Sequence, residues 1–312
     1  MANHPLGQTC ALLTAVLWAY ALVLFKRSGE QITPVALNLF KNVVGMILLG
    51  GTLGVALLTG VDSLAAVRGR CFADIAVLLL SGFLGIALAD TLLFAALNLI
   101  GVGLVSVADC TYAPLTILFS WLLLSEKLTV FHYVGAALVI LGVFISSRHA
   151  RPSHRTRGQI FGGVLLAITA IATMAFGIVL AKPVLEEMSV LWATTLRMSA
   201  GLVFLGLFAR LGSDWRRHWQ VFRPSPVWRS ALPASVLGTY VCLLLWIAGF
   251  KYTYASVAAL LNQTSVVFAT VLAALILKEH FGRRQAAALV LAMAGVAVVT
   301  FGATLWAWWA PV

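Results

Sequence analysis

Charge is scarce in this sequence. Only 10% of its 312 residues are Asp, Glu, Lys or Arg, where soluble domains carry about a quarter, and that shortage excludes an ordinary soluble fold. Histidine and cysteine are scarcer, at six and four. Cys10, Cys71, Cys110 and Cys242 show no paired spacing for a metal or redox motif and read as small apolar packers. His149, His154 and His218 fall in loops, and no His-Glu-x-x-His helix or Gly-x-Ser-x-Gly turn is written anywhere. No cofactor is therefore expected, and a membrane-embedded enzyme lacks a nucleophile with its base.

What is abundant is apolar: 62% of residues are hydrophobic and the mean hydropathy is +1.01. Runs of about 20 apolar residues, enough to cross ~30 Å of hydrocarbon as helix, recur along the chain. Their hydrophobicity is continuous rather than alternating, which selects helices over a barrel. The expected fold is an all-α integral membrane protein of ten spans at 7–26, 34–58, 73–97, 102–124, 131–147, 159–181, 189–210, 231–250, 255–277 and 286–308. The first of these is too long for a signal peptide and lacks a charged leader and a small-residue cleavage site.

The formal charge of +11 would suggest nucleic acid in a soluble protein, but its distribution points to a bilayer instead. Of 21 Lys and Arg, 14 fall on loops 1-2, 5-6, 7-8 and 9-10, and five on the opposite side. The positive-inside rule makes the crowded side cytoplasmic and places both termini outside, in a bacterial-type plasma membrane. The loop SDWRRHWQVFRPSPVWR suits a segment lying on an anionic leaflet. Trp306, Trp308 and Trp309 suit an interfacial belt at the other face.

The stretch from Gly101 to Thr129 has a counterpart at Tyr254 to Gly282, each an apolar run with a polar cluster early and a glutamate at its exit. From Gly85 to Glu126 the chain matches Gly238 to Glu279 without a gap at an offset of 153, and seven of 42 pairs are identical. The front of the repeat aligns at 156, which sets Lys41 opposite Arg197. This divides the chain into a five-helix repeat at 1–147, a basic linker at 148–158 and a second repeat at 159–312. Five spans per unit is odd, so the two units would cross the membrane in opposite senses, the inverted plan of many secondary transporters.

In repeat length, Trp18, the basic residues Lys41 and Arg197 in spans two and seven, Pro114 midway in span four, and Glu126 and Glu279 at the ends of spans four and nine, the chain resembles the drug/metabolite transporter superfamily in its ten-span EamA-type branch. It departs from that pattern where Val267 stands opposite Pro114 and Met174 opposite Trp18. The resemblance implies a carrier of small organic solutes, often an exporter, with a cavity lined by spans one to four and six to nine. Spans five and ten would serve as scaffold. A monomer or a homodimer both fit.

Asp90 and Asp109 are the acids within the hydrocarbon, and Lys41 and Arg197 the cations. Each charge at a helix centre costs ~2.5 to 3.5 kcal/mol on insertion scales, so four want a reason. Lys41, Asp90 and Asp109 each lie about seven residues from the same surface, roughly 10 Å deep, and can meet. The equivalents of the two acids in the second half are Leu243 and Asn262, which leaves Arg197 uncompensated beside Asn262, Gln263 and Thr264. The functional reading gives Arg197 a substrate carboxylate through a two-pronged hydrogen bond and gives Asp90 or Asp109 a proton or an amine. Trp18, Tyr20 and Tyr112 complete the candidate site. The plainer readings are a fixed Lys41, Asp90 and Asp109 triad holding spans two to four, an Arg197 that snorkels to the interface, interhelical bonds for Asn262 and Gln263, and solvated or structural glutamates at 126 and 279. A channel is a third class, less favoured because an inverted repeat suits alternating access and no repeated filter motif is visible.

Overall fold

The computed structural model describes residues 4–63, 69–124, 130–149, 156–211, 215–252, 255–278 and 282–309. Among these no strand occurs. The helices in order are α1 (His4–Gly29), α2 (Pro34–Leu58), α3 (Phe72–Gly82), α4 (Asp90–Asp109), α5 (Tyr112–Leu124), α6 (Val130–His149), α7 (Arg157–Glu187), α8 (Val190–Leu211), α9 (Trp215–Trp219), α10 (Trp228–Ser235), α11 (Cys242–Tyr252), α12 (Ala255–Leu272) and α13 (Arg283–Trp309). Six helical stretches are long and apolar enough to cross a membrane, and shorter apolar helices cover 112–123, 133–142, 261–277 and 286–298. Glu126, Lys127, Glu279 and most of the expected linker lie outside the described residues, as do the side chains of Trp306, Trp308 and Trp309.

Sequence explains where the helices begin and break. Thr33 caps α2 by accepting from Ala36 N at 3.3 Å, with Pro34 as first residue. Thr156 and Gln159 form a reciprocal capping box at the start of α7. Gly101, at φ 78 and ψ 172, bends α4 in the left-handed region open to glycine, where spans three and four were expected to part. The second break falls at Cys110 and Thr111 rather than at Pro114 itself. Proline cannot donate to the carbonyl four residues back and its ring crowds that carbonyl, so the ladder fails at Cys110. Thr111 N turns to Ala108 O instead, at 2.9 Å. Asp109 and Tyr112 thus stand on the two lips of a broken helix.

Between α3 and α4 lies a π-helical stretch, Phe83–Ala89, and between α10 and α11 another, Val236–Val241. Both begin at equivalent positions, since 83 and 236 differ by the repeat offset of 153. Such turns disturb the regular carbonyl ladder, and Asn38 meets two of those carbonyls, donating to Ile86 O at 2.9 Å and Ala87 O at 3.2 Å.

The two halves pack reciprocally. A Cβ on Gly142 would stand 2.7 Å from Ala288 O and 2.9 Å from Ala292; one on Gly295 would stand 2.7 Å from Gly135 O and 2.9 Å from Val139. Adding 153 to 135, 139 and 142 gives 288, 292 and 295, so α6 and α13 cross at a point of two-fold exchange. The same holds nearer the centre: Gly45 meets Thr239 and Gly201 meets Ile86, each 2.7 Å from a built Cβ. Small residues at these crossings let backbones approach where lipid gives no hydrophobic drive. Ala11, Ala15 and Ala19 supply a similar buried stripe on α1. The outward faces carry large apolar side chains such as Ile47, Phe161, Phe208 and Leu275, as a lipid-facing surface requires.

The basic loop does not lie wholly outward. Trp228 packs on Phe40 of α2 and its indole donates to Val221 O at 2.9 Å, while Arg216, Arg217, Arg223 and Arg229 remain exposed.

Candidate functional site

At the centre is a cavity of about 160 Å³, which by volume holds on the order of ten waters. Its walls are built largely from equivalent positions of the two halves: Lys41 and Arg197, Gly85 and Gly238, Asp90 and Leu243, Leu93 and Trp246, Asp109 and Asn262, Tyr112 and Ser265. The π stretches bring Gly85 and Gly238 to its wall. Their missing side chains leave room where Arg197 Nη2 lies 3.3 Å from a Cβ built on Gly85.

Of the ten residues expected at the site, eight line this cavity: Trp18, Lys41, Asp90, Asp109, Tyr112, Arg197, Asn262 and Gln263. Tyr20 does not. It is 41% exposed on the outer side of α1, two positions and therefore about 200° round the helix from Trp18. Thr264 does not line it either: its hydroxyl donates back to Leu261 O at 2.6 Å, while Asn262, Gln263, Ser265 and Val266 face inward. Sequence reasoning missed Thr14, Asn42, Ser106, Thr239 and Trp246. Two of these lay three or four residues from a chosen position, Thr14 before Trp18 and Ser106 before Asp109, which is helix-face spacing.

The four embedded charges do not form the expected triad with one outlier. Lys41 Nζ reaches Asp90 Oδ2 at 2.7 Å and lies 5.7 Å from the centre of the Phe94 ring, so this cation is neutralised and covered. Asp109 is half-buried and, among the described residues, joins no ion pair. Arg197 is 3% exposed and does not snorkel. Its guanidinium sits 5.9 Å from the Trp246 ring centre, and Nε and Nη1 have no hydrogen-bond partner among the described residues. Buried polar groups are normally satisfied, and here the exceptions cluster. Among the described residues, Asn42 Oδ1, Ser106 Oγ, Thr239 Oγ1, both amide atoms of Asn262 and Gln263 Oε1 are buried and unpartnered, all on cavity-lining residues. Gln263 does bond between helices, donating to Asp109 O at 3.2 Å. The arrangement offers a guanidinium fork, a separate carboxylate and a ring of neutral donors and acceptors, with apolar walls from Trp18, Leu22, Trp246 and Ala269. That is a recognition surface for a small polar solute.

Comparison with known proteins agrees with the repeat. A family model described as the EamA-like transporter family matches residues 5–148 and again 161–301. One solved crystal structure is similar in fold over 97% of this chain and 99% of its own, with a TM-score of 0.67 and 19% sequence identity. No curated protein matches the sequence.

Proposed function

The chain belongs to the EamA-like transporter family, and we propose from that premise that it carries a small carboxylate-bearing, amino-acid-like solute by alternating access. Membership makes it a membrane transporter of small solutes; the cavity supports the finer reading. The observation that carries it is Arg197, a buried cation whose Nε and Nη1, each of which shares an edge of the guanidinium with Nη2, are without partners among the described residues, while Lys41 is matched by Asp90. A guanidinium fork binds a carboxylate through two parallel bonds, as it does a phosphate, and a singly charged carboxylate is the one that a single cation balances. Asp109, which joins no ion pair among the described residues, is the complementary group for an amine, or for a proton when no amine is present. An ammonium and a proton are alternative partners for one carboxylate, so solute and proton would compete. Proton exchange at Asp109 then drives transport, with export as the direction implied by the family resemblance. The inverted two-fold arrangement supplies two faces that can exchange roles about a fixed site.

The test is a thermal-stabilisation screen of amino acids, other organic acids and amines on purified protein, repeated on Arg197→Ala and Asp109→Asn. Stabilising solutes should carry a carboxylate, and Arg197→Ala should weaken them at least thirtyfold, from about 2 kcal/mol for hydrogen bonds to a charged group. Asp109→Asn should weaken those that also bear an amine and spare simple carboxylates. A stabilising solute indifferent to Arg197→Ala would remove the assignment.

A further inference from the structure

A second, smaller cavity lies beyond the first. It is lined by Thr116 and Ser120 of α5, Ile178, Lys182 and Glu186 of α7, and Ile247 and Lys251 of α11, among others. Three helices connect it to the central cavity by unbroken four-residue steps: Tyr112, Thr116 and Ser120; Met174, Ile178 and Lys182; Leu243, Ile247 and Lys251. The first residue of each set lines the central cavity and the last lines the second. At 1.5 Å per residue each step advances ~6 Å along one helix face. All three helices run toward the same face of the molecule, so the two cavities are stacked along one path. Thr116 Oγ1, between them, is buried.

The charge at the outer cavity is positive on balance, two lysines against Glu186. Lys251 Nζ donates to Met188 O at 2.8 Å. Lys182 and Glu186 are four apart on α7, the spacing for an ion pair, yet none forms between them among the described residues. Their equivalents in the first half, at the offset of 156, are Lys26 and Glu30. These do pair, at 3.6 Å. Lys182 is therefore left to the cavity where its counterpart is spent on a neighbour.

We propose that this second cavity is an anion vestibule on the transport path, in which Lys182 and Lys251 draw a carboxylate between the central site and the face where α5, α7 and α11 end. The proposal deepens the transport reading and rests on it for the nature of the solute. The polar ladder Tyr112, Thr116 and Ser120 gives the passing group successive partners. Ile178 and Ile247 give the passage an apolar constriction.

The test needs no transported solute. Ser120→Cys is placed in full-length protein whose four cysteines are replaced by alanine. Its rate of modification is measured with an anionic sulfonatoethyl methanethiosulfonate and with a cationic trimethylammonioethyl one. The anionic-to-cationic rate ratio should fall at least fivefold on Lys182→Gln, since a unit charge a few ångströms away in a watery path changes local ion concentration by about that factor. It should fall again when Lys251→Gln is added. Among the described residues Lys182 makes no ion pair, so Lys182→Gln alone decides the matter if Lys251→Gln disturbs folding. A Ser120→Cys protein that neither reagent modifies, or a ratio that stays within twofold on Lys182→Gln, overturns the vestibule. A solute screen that fails while the ratio falls removes the central assignment and leaves the vestibule's electrostatics standing.

Discussion

Lys41 and Arg197 occupy one position in two halves and meet opposite circumstances. The first is held by Asp90 at 2.7 Å; in the second half Leu243 stands at the position equivalent to that acid, and Arg197 keeps two guanidinium nitrogens unpartnered among the described residues. The backbone around them is shared, down to paired π stretches and paired glycine crossings. Two-fold exchange therefore governs packing and not chemistry. Motion between two faces asks for equivalent helices, whereas holding an asymmetric solute asks for different side chains on them.

The largest effect is expected where the satisfied half is made like the unsatisfied one. Asp90→Leu copies the second half's residue and leaves Lys41 buried without its partner, at a cost of about 3–5 kcal/mol, read as a loss of resistance to thermal or denaturant unfolding. Adding Lys41→Met should restore most of it, because a buried pair replaced by apolar groups is often neutral. If Asp90→Leu unfolds like the parent, the Lys41–Asp90 pair does not hold α2 to α4.

The converse change comes next in size. Leu243→Asp gives Arg197 an internal carboxylate, the arrangement of the first half. It should raise or preserve stability, since a buried unmatched cation is costly, while abolishing stabilisation by carboxylate solutes, a loss of at least about 2 kcal/mol in binding. Stability and binding moving in opposite directions is the signature of a group held unsatisfied for a ligand. A Leu243→Asp protein that still binds its solute with parental affinity would show that Arg197 is not the anchor.

How much of this was legible beforehand follows from the same physics. The helices and their order could be read because hydrocarbon demands long apolar runs, and the embedded charges because each is costly there. The facing of each helix could not. A helix apolar all round gives no periodic signal, so Tyr20 and Trp18 look alike until packing turns one inward. Where polar residues recur at three or four, as with Thr14 and Trp18 or Ser106 and Asp109, the facing was readable. The π stretches left only Gly85 and Gly238 as a trace. The division of four charges into the Lys41–Asp90 pair and, among the described residues, an acid and a cation outside any ion pair depends on side-chain distances that depth alone does not fix.

The smallest expected effect sharpens the comparison at the two ends of the cavity-lining helices. Thr33, which caps α2, is hydrogen-bonded to His218 at 3.1 Å. Ser189, which precedes α8 and accepts from Trp192 N, donates to Asp62. At the offset of 156, Thr33 becomes Ser189 and Asp62 becomes His218, so these are one latch in two copies. Each ties a cation-bearing helix to a loop of the opposite half. Under the inverted arrangement the two latches lie on opposite faces. Thr33→Val and Ser189→Ala should each cost about 1 kcal/mol of cap, a shift of about fivefold in the balance between the two faces, in opposite senses. The measurement is the rate at which a Ser106→Cys reporter in the central cavity is labelled from each side of oriented proteoliposomes. Two variants that open the same side would mean that the halves are parallel rather than inverted. Opposite shifts of similar size would mean that packing symmetry sets the motion while the unequal charges set what is carried.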